Sequence, residues 1–201
     1  MQIYKFSYVL PGLLLGLLLS ACGGGGSNVL GNPPSVANAT LLSGQTLSYA
    51  YFQRCINPIF LAQLQGGSGT TNTCAGSGCH DSSTGTGGAL RLYPAASVLD
   101  LSDPANTAAV IRASDMYKNF YSAQAATVIG SSAQSRLLSK PLLRSVLHGG
   151  GLIFLSESDP HAVLLAYWIN HPVPLGQDEF SSASNSMFTP ADPNAGVCNT
   201  Q

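Results

Sequence analysis

Cys74-Ala75-Gly76-Ser77-Gly78-Cys79-His80 sets two thiols and an imidazole within one short, glycine-rich stretch. Four small residues lie between the cysteines. Glycine has no Cβ, so such a loop can bulge while the two sulfurs keep their separation. Three chemistries use this set. The simplest is a Cys74–Cys79 disulfide closing a turn, with His80 a bystander. A zinc site is the second, but zinc takes four ligands at recognisable spacing. The sequence offers no Cys-x2-Cys partner and no His-x3-His pair. The third is covalent haem attachment, whose pattern is two cysteines with a His directly after the second. There the thiols add to the haem vinyl groups and the imidazole ligates iron from one face. The common form leaves about two residues between the cysteines, so this stretch departs from it.

The remaining cysteines are Cys22, Cys55 and Cys198. Cys22 follows Lys5, an apolar run at residues 13–19 and the small pair Ser20-Ala21. A basic start, a short apolar run and small residues describe an export signal. The run is too short for a bilayer span of about 20 apolar residues. Leu19-Ser20-Ala21-Cys22 resembles a bacterial lipobox, which implies cleavage after residues 1–21 and diacylation of Cys22. Gly23, standing where an Asp would imply inner-membrane retention, implies the outer membrane, facing the periplasm or the cell surface. Residues 22–43, with a glycine run and Pro33-Pro34, read as a flexible tether. In an exported chain Cys55 and Cys198 are expected to pair. A bridge over so long a loop stabilises by roughly 4–5 kcal/mol on chain-entropy grounds.

Composition narrows the function classes. The chain has 201 residues, 45% hydrophobic and only 8% charged, with a formal charge of −1. Average domains are about 25% charged. No Lys/Arg stripe exists to displace counterions from a phosphate backbone, which excludes nucleic-acid binding. Charge-driven disorder is excluded as well, since it needs low hydrophobicity with high net charge.

Periodicity predicts an all-α class with long loops. Helices are expected over residues 46–57 and 58–64, the second opened by Asn57-Pro58 as N-cap and N1. Asp103-Pro104 is expected to open a helix reaching residue 121, and residues 131–139 a short helical turn. Ser158-Asp159-Pro160 caps the clearest helix, over residues 160–171, with Val163, Leu164, Tyr167 and Trp168 as its apolar stripe. Residues 66–73 read as a Gly-rich loop, not a phosphate site, since no helix or Lys follows. No strand-like alternation is visible. The folded domain is expected over residues 44–175, and residues 176–201 as a polar tail tied back by Cys198.

The order of these features resembles a class I cytochrome c over roughly residues 44–172. A helix with Tyr51 and Phe52 precedes Cys-Cys-His, and a Gly-rich loop precedes the final helix with Tyr167-Trp168. Asn57-Pro58-Ile59-Phe60, Lys140-Pro141-Leu142, His148-Gly149-Gly150-Gly151 and Trp168-Ile169 are similar to the cytochrome-c-like domains of some exported bacterial proteins. The long spacing resembles attachment sites of some multihaem cytochromes. The resemblance implies a cytochrome c-like fold whose first and last helices cross. It also implies one haem c on Cys74 and Cys79, with His80 as proximal ligand.

The family's usual sixth ligand, a Met just before the last helix, is missing. Met116 lies before that window and Met187 after it. His148 stands there instead, ahead of three glycines that permit close backbone approach to a flat macrocycle. His148 is the favoured distal ligand and Met116 its rival; an open sixth position is the third choice. Bis-His ligation implies a lower potential than a Met ligand. His161 and His171 read as surface or capping residues. Arg91 and Arg112 are candidate partners for haem propionates, and Leu90, Leu92, Tyr93, Leu137, Leu138, Leu142 and Leu143 candidate pocket walls.

Three functions follow. The first is a lipid-anchored monohaem carrier passing single electrons between redox partner proteins, not an enzyme. The second is a haem enzyme or sensor with an open iron, peroxidase-like. The third is a haem-free, disulfide-stabilised structural lipoprotein. No Gly-x-Ser-x-Gly, phosphate-loop or His-Glu-x-x-His motif points to other catalysis.

Overall fold

In the computed structural model, which describes residues 44–201, the first helical run opens at Ser48, whose hydroxyl accepts from Tyr51 N–H. The run comprises α1 (Tyr49–Tyr51), a π turn (Phe52–Ile56) and α2 (Asn57–Leu61) without interruption. The sequence placed a new helix start at Asn57-Pro58. Instead the N–H of Asn57 reaches back to Phe52 O. This wider ladder sits directly before Pro58, whose ring crowds the preceding turn and which cannot donate. The export signal, Cys22 and the tether fall outside the described residues.

α3 (Ala108–Ala113) starts at Thr107, and α4 (Asp115–Ala125) at Ser114, each hydroxyl capping a backbone N–H. Asp103 is not the cap the sequence suggested; its carboxylate closes a turn by accepting from Ala105 N–H at 2.9 Å. A 3-10 turn (Ser132–Gln134) leads into α5 (Arg136–Ser139). α6 (Pro160–Asn170) begins as expected, with the Asp159 carboxylate on His161 N–H at 2.8 Å.

Two short antiparallel pairs correct the expectation of a strand-free chain. β1 (Leu64–Gln65) pairs with β2 (Thr71–Asn72), and β3 (Phe188–Thr189) with β4 (Val197–Cys198). The described fold is small and mostly helical with minor strands. None of its helices is long and apolar enough to cross a membrane.

The core sits where the first run meets α4 and α6. Phe52 lies 5.4 Å from Trp168 and 5.5 Å from Phe120, ring centre to ring centre. Trp168 is fully buried and donates its indole N–H to Ser48 O at 3.0 Å. Residues 176–201 are more than the polar tail read from the sequence. Phe180, Met187 and Phe188 are buried in the core cluster. Glu179 accepts from Arg112 at 2.8 Å and from Tyr117 at 2.7 Å. Burial lowers the fraction of charge such a carboxylate tolerates, yet these two donors hold its pKa below the usual carboxylate range. Cys55 and Cys198 are bridged, with Cα atoms 6.1 Å apart across 143 positions of sequence. Closing so long a loop is worth about 5 kcal/mol against the unfolded chain.

Candidate functional site

The loop from the first helical run to α3 carries the cysteines and His80. It leaves α2 under tight control. Thr73 Oγ1 and Ala75 N–H both donate to Phe60 O, at 2.7 and 3.0 Å. The chain then coils back on itself: His80 N–H donates to Cys74 O, and Cys79 N–H to Gly76 O, each at 3.0 Å. Gly78 has φ of +80°, a left-handed conformation that a side chain would strain, so the inserted glycine has a definite use. After His80, the Asp81 carboxylate gathers the N–H and hydroxyl groups of Ser83 and Thr84. That turn sends the chain back past His80.

Two further stretches press against the His80 turn. Gly87 N–H donates to Cys79 O at 2.7 Å, and a Cβ at Gly87 would lie 2.5 Å from His80 Cε1. Residues 90–93 run alongside: Leu92 N–H donates to His80 O and Ser82 N–H to Leu92 O, both at 2.7 Å. This stretch is pinned to α4 in turn. Ser122 Oγ accepts from Arg91 N–H, and Asn119 Oδ1 from Tyr93 N–H, both at 2.7 Å. Asn119 Nδ2 donates to Tyr93 O and to Asn57 Oδ1, linking α4 to α2. The ring of His80 is therefore set by backbone that the helical core holds.

His148 comes from the loop between α5 and α6, and its ring faces His80. The centroids are 6.2 Å apart and the planes 14° from parallel. Both rings have the same proton arrangement. His80 Nδ1 is 3.1 Å from Leu90 O, and His148 Nδ1 is 2.9 Å from Gly151 O. A carbonyl only accepts, so each Nδ1 carries the hydrogen and each Nε2 keeps its lone pair. A backbone carbonyl fixing one nitrogen while the other bonds a metal is the usual outer shell of a histidine ligand. Burial pushes the His80 imidazolium below its ordinary pKa against the Leu90 bond; His148, Lys140 and Arg91 push the same way. His80 is thus neutral at pH 7, as a ligand must be.

The two imidazoles open on a cavity of about 580 Å³, within the usual range of about 300–1,000 Å³ for small-molecule sites. Cys74 and Cys79 line it, as do Leu64 and Ile153 on its apolar side. Both thiols are free. Burial, then the neighbouring Cys79, pushes the Cys74 thiol up to about 11, so it stays protonated. Among the described residues no three His, Cys, Asp or Glu side chains gather at one point. The four-ligand zinc arrangement is therefore not what the loop builds.

The donors present, two imidazoles with Nε2 unbonded and two free thiols on one cavity, are the kinds that a covalently attached metal macrocycle uses.

Other candidate residues fall elsewhere. Met116 is buried in the core and does not line the cavity. Arg112 is bound to Glu179 at 2.8 Å and to Asp178 at 3.5 Å, also away from the cavity. Arg91 stays close to His80 but donates to Gly85 O. Leu92, Leu137 and Leu138 are core residues, and Leu143 is exposed. His161 lies 3.5 Å from Asp159, and His171 Nδ1 caps α6 at Tyr167 O, as surface and capping residues do. Gly87 and the Leu90 carbonyl escaped sequence reasoning. The run Gly85-Thr86-Gly87-Gly88 was the available signal for a close approach; a carbonyl leaves none, since every residue has one.

The chain matches no protein-family model, no curated protein and no solved structure.

Proposed function

We propose that this chain is a monohaem c-type cytochrome with a cytochrome c-like fold, an electron carrier anchored by lipid on Cys22 and exchanging electrons with redox partner proteins. The observation that carries the reading is the pair of facing imidazoles, each with Nε2 free, on a cavity that both thiols also line. Haem bound there would supply a one-electron couple. Cys74 and Cys79 would each add S–H across a vinyl group, fixing the macrocycle's edge. His80 would bind one face of the iron and His148 the other, and imidazole on both faces favours a low potential. The Leu90 and Gly151 carbonyls would hold both rings in the tautomer that leaves Nε2 available.

The test is expression with a cytochrome c maturation system, followed by a denaturing gel stained for haem. A stained band, and a mass equal to peptide plus lipid plus one haem, is the expected result. A colourless polypeptide at the mass of lipid and peptide alone would overturn the reading.

One observation favours a variant in which His148 is exchangeable. Residues 145–150 make no hydrogen bond to the rest of the described chain outside the His148–Gly151 turn. A haem sensor that releases His148 to an external ligand has that architecture. Addition of CO to the reduced protein distinguishes it: a carrier keeps its spectrum, and a sensor shifts.

A further inference from the structure

Among the described residues, Lys140 is the only charged side chain lining the cavity, and no carboxylate lines it. The other cations of the described chain are used or stand in water. Arg112, Lys118 and Arg144 face acids, and Arg54 and Arg91 donate to backbone carbonyls. Arg136 is exposed. Lys140 is half-buried, close enough to His80 to depress its protonation, and has no side-chain partner among the described residues. It follows α5, whose Arg136 O accepts its backbone N–H, so its stem is held by a helix end. The hydroxyls on the cavity wall are already spent: Thr73 donates to Phe60 O, Thr86 to Gly78 O, and Thr70 pairs with Ser68. Asn72, on β2, keeps its amide free beside them.

A cation on a cavity wall with no protein counter-charge is the group that an anionic ligand entering the cavity would meet. We infer that Lys140 is the specificity-determining cation of the cavity, pairing with a carboxylate carried by the ligand and so fixing which edge of it faces α5. On the haem reading, on which the ligand's identity rests, that carboxylate is a propionate. Lys140 then takes the role for which Arg91 and Arg112 are the candidates in the sequence.

Metal-free protoporphyrin separates this inference from iron ligation. The full-length chain is produced without haem attachment, and quenching of its single tryptophan, Trp168, reports titration with protoporphyrin or its dimethyl ester. Wild type is expected to bind the diacid about tenfold more tightly than the ester, as one charge-assisted pair supplies. Lys140→Gln should abolish that preference, Lys140→Arg should keep it, and added salt should shrink it. Equal binding of diacid and ester by wild type, an undiminished preference in Lys140→Gln, or no binding of either porphyrin would overturn the inference. A low-spin haem protein without the preference would sink this inference alone and leave the proposed function standing. Thermal unfolding of each variant confirms that the fold is intact.

Discussion

His80 and His148 offer the same nitrogen to the same cavity from opposite kinds of support. Around His80 the backbone is bonded in layers: to Cys74 and Leu92 directly, and through residues 90–93 to Asn119 and Ser122 on α4. The loop of His148 is fastened at its ends, by Arg144 N–H on Ser139 O and by Ile153 N–H on Pro141 O, at 2.8 Å each. Leu143 and Ser145, on either side of Arg144, have φ of +51° and +54°, unusual for residues with side chains. Leu147, next to His148, is 93% exposed. A site built this way has one fixed face and one face free to adjust. Rigidity is placed where the covalent attachment would be, and compliance where only a coordinate bond would hold.

The largest break in this symmetry comes from removing each ring. His80→Ala is expected to cut haem-stained protein at least ~10-fold, in line with the loss of a principal ligand. His148→Ala should keep the stained band and convert low-spin absorption to high-spin. If the two variants lose the same amount of haem, the difference between the faces is wrong.

Next is the support itself. Asn119→Ala strips buried partners from Tyr93 and Asn57 and is expected to cost about 1–3 kcal/mol in chemical denaturation. Leu147→Ala, on the other face, should stay within about 0.5 kcal/mol. Comparable losses would mean that the His148 loop is packed more firmly than its bonds suggest.

The glycines sharpen the contrast further. A Cβ at Gly87 would press on His80 at 2.5 Å, whereas one at Gly150 would sit 3.2 Å from His148 Cε1. Gly87→Ala is expected to cost about 1–2 kcal/mol, by overpacking a held ring, and Gly150→Ala under about 0.5 kcal/mol. Paired melting curves decide it.

The smallest effect is on pH. Folding lowers the His80 pKa, so the unfolded chain is the state that takes up the proton. Above about pH 6.5 both states are neutral there and stability is unaffected. As pH falls below that value the haem-free chain should lose stability, and His80→Gln should lose less over the same range. Identical pH profiles would place His80 in a more open setting than the Leu90 contact describes.

Much of this architecture is legible in residue types. Thiols and imidazole at positions 74, 79 and 80 are rare side chains in a fixed order, and Asp159-Pro160 marks a helix start by side-chain chemistry. The pairing of Cys55 with Cys198 is what remains once Cys22, Cys74 and Cys79 are given the other roles expected of them. What the sequence hides is what depends on backbone or on context. The continuation of the first helix through Pro58 rests on a shifted ladder. The short strands at residues 64–65 and 71–72 are too brief to show alternation. Phe180, Met187 and Phe188 lie among polar neighbours, so their burial against Tyr49 and Tyr51 shows no period.

The facing imidazoles also belong to stretches far apart along the polypeptide, before α3 and after α5. Any ion bonded to both would act as a tertiary clasp between them, and such binding stabilises in proportion to its selectivity for the folded state. Protease resistance of the loop before α6 would then become a gauge of cofactor loading, readable without any electron having moved.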